Sequence, residues 1–183
     1  MVVRNTKLGG TDWPYGLSPV KAVDMNDTFN MIPKLLDVDT TATTWTTTDT
    51  TYKQLVSLSS GAITNNKILV QINCEFIALG EQTSAAATEN GIPVIELQIG
   101  ESGSEAQVKE WNPALTSYVV NSIAGGTVSV IITSPHTLMY VHTLTAGEKT
   151  NGFNVIVNGK YVIVGTISAI TSTHLITTIM GIQ

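Results

Sequence analysis

The sequence predicts an all-β protein: an antiparallel β-sandwich of jelly-roll type, preceded by an extended N-terminal arm and a short helix. Three observations lead there. Apolar residues make up 43% of the 183-residue chain and charged residues only 13%, about half the usual globular charge content. Thr, Ile and Val are abundant while Glu, Lys, Arg and Leu are scarce, and β-branched side chains suit a pleated, half-buried surface. From Thr40 onward, short apolar alternations recur at roughly ten-residue spacing with polar turns between them, which favours antiparallel strands over crossover units.

Met1 to Gly16 holds Gly9-Gly10, Trp13-Pro14 and Gly16 without periodicity and reads as an extended arm. Ser18 to about Val38 is the one helical stretch: Ser18 is an N-cap and Pro19 suits the first helical position. Phe29, Ile32 and Leu36 share one face, with Val20 and Val23 a shorter pair, while Asp24 and Asp27 lie on the solvated side. Pro33 interrupts this pattern, so the expectation is a helix ending near Met31 or two short helices in series. Residues 1–38 therefore read as an N-terminal arm and helix, and residues 39–183 as the β-sandwich domain.

The Thr-rich stretch Thr40–Thr48 suits a linker or an edge strand, and Tyr52–Leu58 follows as a strand. Lys67–Leu79 is the clearest strand, with Ile68, Val70, Ile72, Cys74 and Phe76 on one face. Gly80–Gly91 is rich in small residues and reads as a long exposed tip. Pro93–Ile99 points Ile95, Leu97 and Ile99 inward against Glu96 and Gln98. Gln107–Trp111, Tyr118–Ile123, Thr127–Thr133 and Leu138–Leu144 come next, with Ser134-Pro135-His136 as a loop. Asn158-Gly159, between Phe153–Val157 and Lys160–Val164, has the composition of a type I′ hairpin. Thr166–Ile170 and His174–Met180 complete about eight to ten strands with no helix among them.

Composition excludes several functions. A net charge of −5 with nine scattered basic residues argues against nucleic acid, which requires clustered cations. The N-terminus has no apolar signal core and the chain no apolar run long enough to span a bilayer, so synthesis in a cytoplasm is expected. The single cysteine, Cys74, rules out an intramolecular disulfide and reads as a buried, inert thiol.

The motifs of catalysis are missing. His136, His142 and His174 have no zinc-site spacing, and His136 and His142 are expected on different segments. Gly100–Ser104 reads as a turn rather than a nucleophile elbow, Gly125-Gly126 lacks the context of a phosphate loop, and Asp37 and Asp39 are too few for calcium. Glu75, Glu96, Glu101, Glu105 and Glu110 could pair for glycoside hydrolysis, but Glu75 and Glu96 fall on solvated faces of alternating strands. No catalytic residue, metal site or cofactor is expected.

Aromatic residues are the remaining candidates. Trp13 and Tyr15 sit in an arm with no local core, and with Phe29 they are candidate subunit contacts. Trp111, Tyr118 and Tyr140 are candidate ligand contacts as a sugar-stacking platform, against core packing as the alternative.

The stretch from Gly16 to Phe29, through Val20, Asp24, Met25, Asn26 and Phe29, resembles the N-terminal segment of bacteriophage tail-fibre and related virion proteins. Those proteins carry a short helix between an irregular arm and a β-rich domain, and the β region is similar to head-fibre and decoration-type domains in composition and spacing. The resemblance implies a non-enzymatic virion subunit, docked by its arm to other virion proteins. It also implies self-association as a homo-oligomer such as a trimer, and display of a compact β domain to a host-surface glycan or receptor. A carbohydrate-binding β-sandwich module and a small glycan-active enzyme are the alternatives.

Overall fold

The computed structural model describes residues 33–83, 87–112, 128–164 and 171–182, with residues 76–83, 87–91, 128–134 and 164 described by backbone alone. Among the described residues the protein is antiparallel β. Its strands are β1 (Lys34–Asp39), β2 (Thr43–Thr46), β3 (Lys53–Ser60), β4 (Lys67–Thr83), β5 (Ala87–Gly100), β6 (Ala106–Trp111), β7 (Val128–Thr143), β8 (Phe153–Val164) and β9 (Thr171–Ile182). One short helix, α1 (Ala146–Asn151), joins β7 to β8. The expected arm, the helix starting at Ser18, and the strands Tyr118–Ile123 and Thr166–Ile170 lie outside the described residues.

Backbone pairing divides the strands into two sheets. In the first, β1 and β2 lie end to end along β9, which pairs with β4, and β4 pairs with β7. In the second the order is β3-β8-β5-β6. The far ends of β4 and β5 join the two through pairing of Gly80–Thr83 with Ala87–Asn90. The pairs are nested, since β5 pairs with β6, β4 with β7, β3 with β8, and β1 and β2 with β9.

The inward-facing residues of both sheets form one core. β4 contributes Ile68, Val70, Ile72 and Cys74, and β5 contributes Ile95, Leu97 and Ile99. β8 adds Phe153, Val155, Val157 and Tyr161, and β2 inserts Trp45. Each large side chain removed from water stabilises by about 1.5–3 kcal/mol. The alternation expected for β4 and β5 is therefore what builds the core.

Several segments differ from the sequence-based expectation, each for an identifiable reason. Lys34–Val38 is not a second helix: it belongs to β1, paired with β9, so the strands begin within the segment expected to be arm and helix. β4 and β5 extend to Thr83 and from Ala87, so Gly80–Gly91 is mostly paired backbone rather than a long tip. β7 runs unbroken through Ser134-Pro135-His136. Among the described residues β7 pairs with β4 and with no other strand, so Pro135, opposite Glu75, sits on a strand paired there on one side, which can hold a residue with no N–H to donate.

Asn158-Gly159 is not a hairpin but the middle of β8. Gly159 faces the core, where a Cβ would stand 2.9 Å from Leu55 Cδ1 and 3.0 Å from Trp45 Cδ2. The glycine makes room for the indole. The helix α1 was also not expected. Its signal is the capping box Thr145-x-x-Glu148: Glu148 N–H donates to Thr145 Oγ1 (3.1 Å) and Thr145 N–H to Glu148 Oε2 (2.7 Å).

Candidate functional site

The outer face of the first sheet is apolar, and the pairing registers fix its pattern. Facing outward, Val141, Leu69, Met180 and Leu35 form a row across β7, β4, β9 and β1. The next row is Met139, Gln71, Thr178 and Val38, and beyond it lie Thr137, Asn73 and Ile176. Met139 is 59% exposed, Leu35 57% and Val141 50%, with Val38 and Ile176 also exposed. Thr137 Oγ1 donates to Asn73 Oδ1 at 2.8 Å, so this amide is held by a neighbouring strand. The three rows contain no charged residue. β4 places Lys67 outward at one end of them and Glu75 at the other. Contiguous exposed apolar surface of this kind marks sites of protein contact.

The outer face of the second sheet is different. Glu96 on β5 lies directly opposite Glu110 on β6 and Asn158 on β8. Tyr52 Oη donates to Glu110 Oε2 at 2.5 Å, and the Lys160 ammonium sits 4.0 Å from the Tyr52 ring centre. Gln98 Nε2 donates to Glu96 Oε1 at 2.8 Å. Glu96 is only 4% exposed, so it is not the solvated residue its place in the alternation suggests. Burial, the hydrogen bond to Glu110 and the charges of Glu110 and Glu96 push the Tyr52 phenol well above its ordinary pKa. The phenol therefore keeps its proton and stays a donor. Among the described residues no group of three or more His, Cys, Asp and Glu side chains is arranged to hold a metal ion.

Polar groups also enter the core near β9. Tyr161 Oη and Ser172 Oγ share a hydrogen bond of 2.5 Å. His174 is fully buried, with Nδ1 3.2 Å from the Thr41 carbonyl and Nε2 2.8 Å from Thr177 Oγ1. A carbonyl only accepts, so Nδ1 carries the proton and Nε2 accepts from the Thr177 hydroxyl. Burial lowers the His174 pKa, against a smaller upward pull from the Thr41 carbonyl and Asp39. At the opposite end of the strands, His142 Nε2 lies 3.2 Å from both carboxylate oxygens of Glu148. Burial works to raise the Glu148 pKa, but hydrogen bonds from Thr145 and His142 outweigh it and hold the carboxyl below its usual range.

Of the aromatic candidates, Trp111 lies on β6 and Tyr140 on β7, each partly buried and packed against the core. They belong to different sheets, and the structure does not bring them together as neighbours on one pair of strands. Trp13, Tyr15, Phe29 and Tyr118 lie outside the described residues. His136 and His142 share β7, contrary to the expectation of separate segments. Reasoning from sequence missed the Tyr52–Glu110 contact, which joins positions 58 residues apart. It missed the apolar face too, because Leu69, Met139 and Val141 read as ordinary strand residues until β7, β4, β9 and β1 are aligned. No helix among the described residues is long and apolar enough to cross a membrane. No protein-family model matches the chain, and no curated protein does.

Proposed function

We propose that the chain is a non-enzymatic structural or adhesion subunit of a virus particle, docked by its N-terminal arm and displaying a compact jelly-roll domain. The observation that carries this reading is the nesting of the strand pairs, β5 with β6, β4 with β7, β3 with β8, and β1 and β2 with β9. On this reading the nested hairpin, with β9 beside β4 and β8 beside β5, is rolled up as a double-sheet jelly roll. Viral capsid domains and lectins share that architecture. Architecture alone supports a role only by analogy, and the surface adds to it: an uncharged apolar sheet face suits lateral contact in an assembly. The resemblance of Gly16–Phe29 to virion attachment segments supports docking through the arm. Its partners on this reading are other virion proteins and copies of itself, and it works without a cofactor.

One observation favours carbohydrate binding as a second reading. Tyr52, Glu110 and Gln98 place an aromatic ring and polar groups on one sheet face, the combination that stacks on and hydrogen-bonds a sugar.

The test of the first reading uses the full-length chain carrying Trp13→Ala and Tyr15→Ala. The variant is expected to fold as the wild type does and to be lost from purified particles. Undiminished incorporation would remove the arm from the account. Glycan binding that disappears in Glu110→Gln while particle incorporation persists would favour the second reading.

A further inference from the structure

We infer that the outer face of β7, β4, β9 and β1 pairs with the same face of a second copy of this chain, with the two β4 strands antiparallel. This rests on the reading of that face as an assembly surface and names what covers it. The partner is identified by charge. Lys67 and Glu75 stand outward on β4 at opposite ends of an uncharged middle, separated by about 26 Å at a strand rise of ~3.3 Å per residue. A partner of one prevailing sign would match one end and oppose the other. A second copy, related by a two-fold axis lying between the faces and crossing the strands, sets Lys67 over the copy's Glu75 and Glu75 over the copy's Lys67. Such a pairing is isologous, each contact occurring twice.

The middle of the face fits that operation. Gln71 lies midway between Lys67 and Glu75 and meets its own copy, where two side-chain amides can exchange hydrogen bonds. Met139 and Val38, in the same row, meet their own copies and leave water together. Asn73 already accepts from Thr137, so less of its polar surface is stranded when the face is covered. Four strands spaced about 4.8 Å apart over eight residue steps give a footprint of roughly 500 Å². That exceeds the ~400 Å² per partner of most crystal contacts and falls short of the ~800 Å² of a standard interface. The expected pairing is therefore a modest dimer contact, reinforced when many copies share one particle.

The experiment is sedimentation of the full-length chain and of two charge-reversal variants, alone and mixed. The wild type is expected to form a dimer. Lys67→Glu alone and Glu75→Lys alone each bring like charges together twice, and each is expected to dimerise at least about tenfold more weakly. Mixing the two variants is expected to restore dimers. In the mixed pair the new carboxylate of one variant faces the new ammonium of the other. At the far end, the native Glu75 of the first variant faces the native Lys67 of the second. Met139→Glu should weaken dimerisation without being rescued by either reversal. A monomeric wild type, as when the N-terminal arm of the same chain covers the face, overturns the inference. So do variants that dimerise as the wild type does, or a mixture no stronger than its components. None of these results bears on whether particles contain the protein, so the virion reading stands or falls separately.

Discussion

Gly159 lies against the indole of Trp45: a Cβ added to the glycine would stand 3.0 Å from Trp45 Cδ2, with Leu55 Cδ1 at 2.9 Å on the other side. Trp45 is fully buried and inclined at 46° to the Tyr161 ring, with centroids 6.4 Å apart. It therefore has packed neighbours on more than one side. Gly159→Ala is expected to lower the unfolding free energy by about 1–3 kcal/mol, the usual cost of overpacking a core. Chemical denaturation followed by tryptophan fluorescence measures this. An unchanged midpoint would contradict the packing described.

Gly152 tests backbone conformation instead of volume. Its φ of +87° is one that side-chain-bearing residues rarely adopt, and a Cβ there would come within 2.4 Å of the Ser60 carbonyl oxygen. Gly152→Ala is expected to cost about 2 kcal/mol or more. The control is Gly61→Ala, where a Cβ meets nothing within 4 Å and the change should stay within about 0.5 kcal/mol. Equal midpoints for the two variants would count against this account of the β3–β4 and α1–β8 junctions.

Stability should fall in acid in two separate steps. His174 is buried neutral with its pKa lowered from 6.5, first by burial. The unfolded chain therefore binds more protons than the folded one from pH 6.5 down to the lowered folded value. Stability is complete above pH 6.5 and is lost as pH falls through that window. Glu148 has its pKa lowered from 4.5, so its contribution is complete above pH 4.5 and is lost only below it. Denaturant midpoints measured from pH 7 to 5 should decline in the wild type and stay flatter in His174→Gln. Parallel curves would show that His174 does not titrate as described.

Cys74 is buried in the core, and burial pushes its thiol pKa up to about 12. At pH 8 almost none of it is thiolate, and thiolate is the reactive form. A thiol reagent should modify the native protein no faster than the protein unfolds, and modify the denatured chain completely within minutes. Rapid labelling of native protein would show that β4 is open to solvent at this residue.

Where local pattern decides structure, the fold was legible in the sequence. The alternation of Ile68, Val70, Ile72 and Cys74, and of Ile95, Leu97 and Ile99, is a period of two that leaves one face apolar, and those residues do line the core. What local pattern does not carry is the use made of a residue by a distant partner. Asn158-Gly159 has the composition of a turn, but Trp45, more than a hundred positions away, is why a glycine stands there. Pro135 suggests a break until β7 is seen, among the described residues, to pair with β4 on one side. Glu96 follows the polar face of its strand, yet it is buried, beside Gln98 and facing Glu110. The apolar sheet face was illegible for the same reason. Its rows are assembled from four strands, and their register exists only in the folded chain.

Mass spectrometry of virus particles purified from the protein's source tests the central claim most directly. The account predicts that the chain is present in a fixed ratio to the major particle subunits and stays with them through gradient purification. A chain absent from purified particles, or present only in the soluble fraction of the same culture, would contradict it.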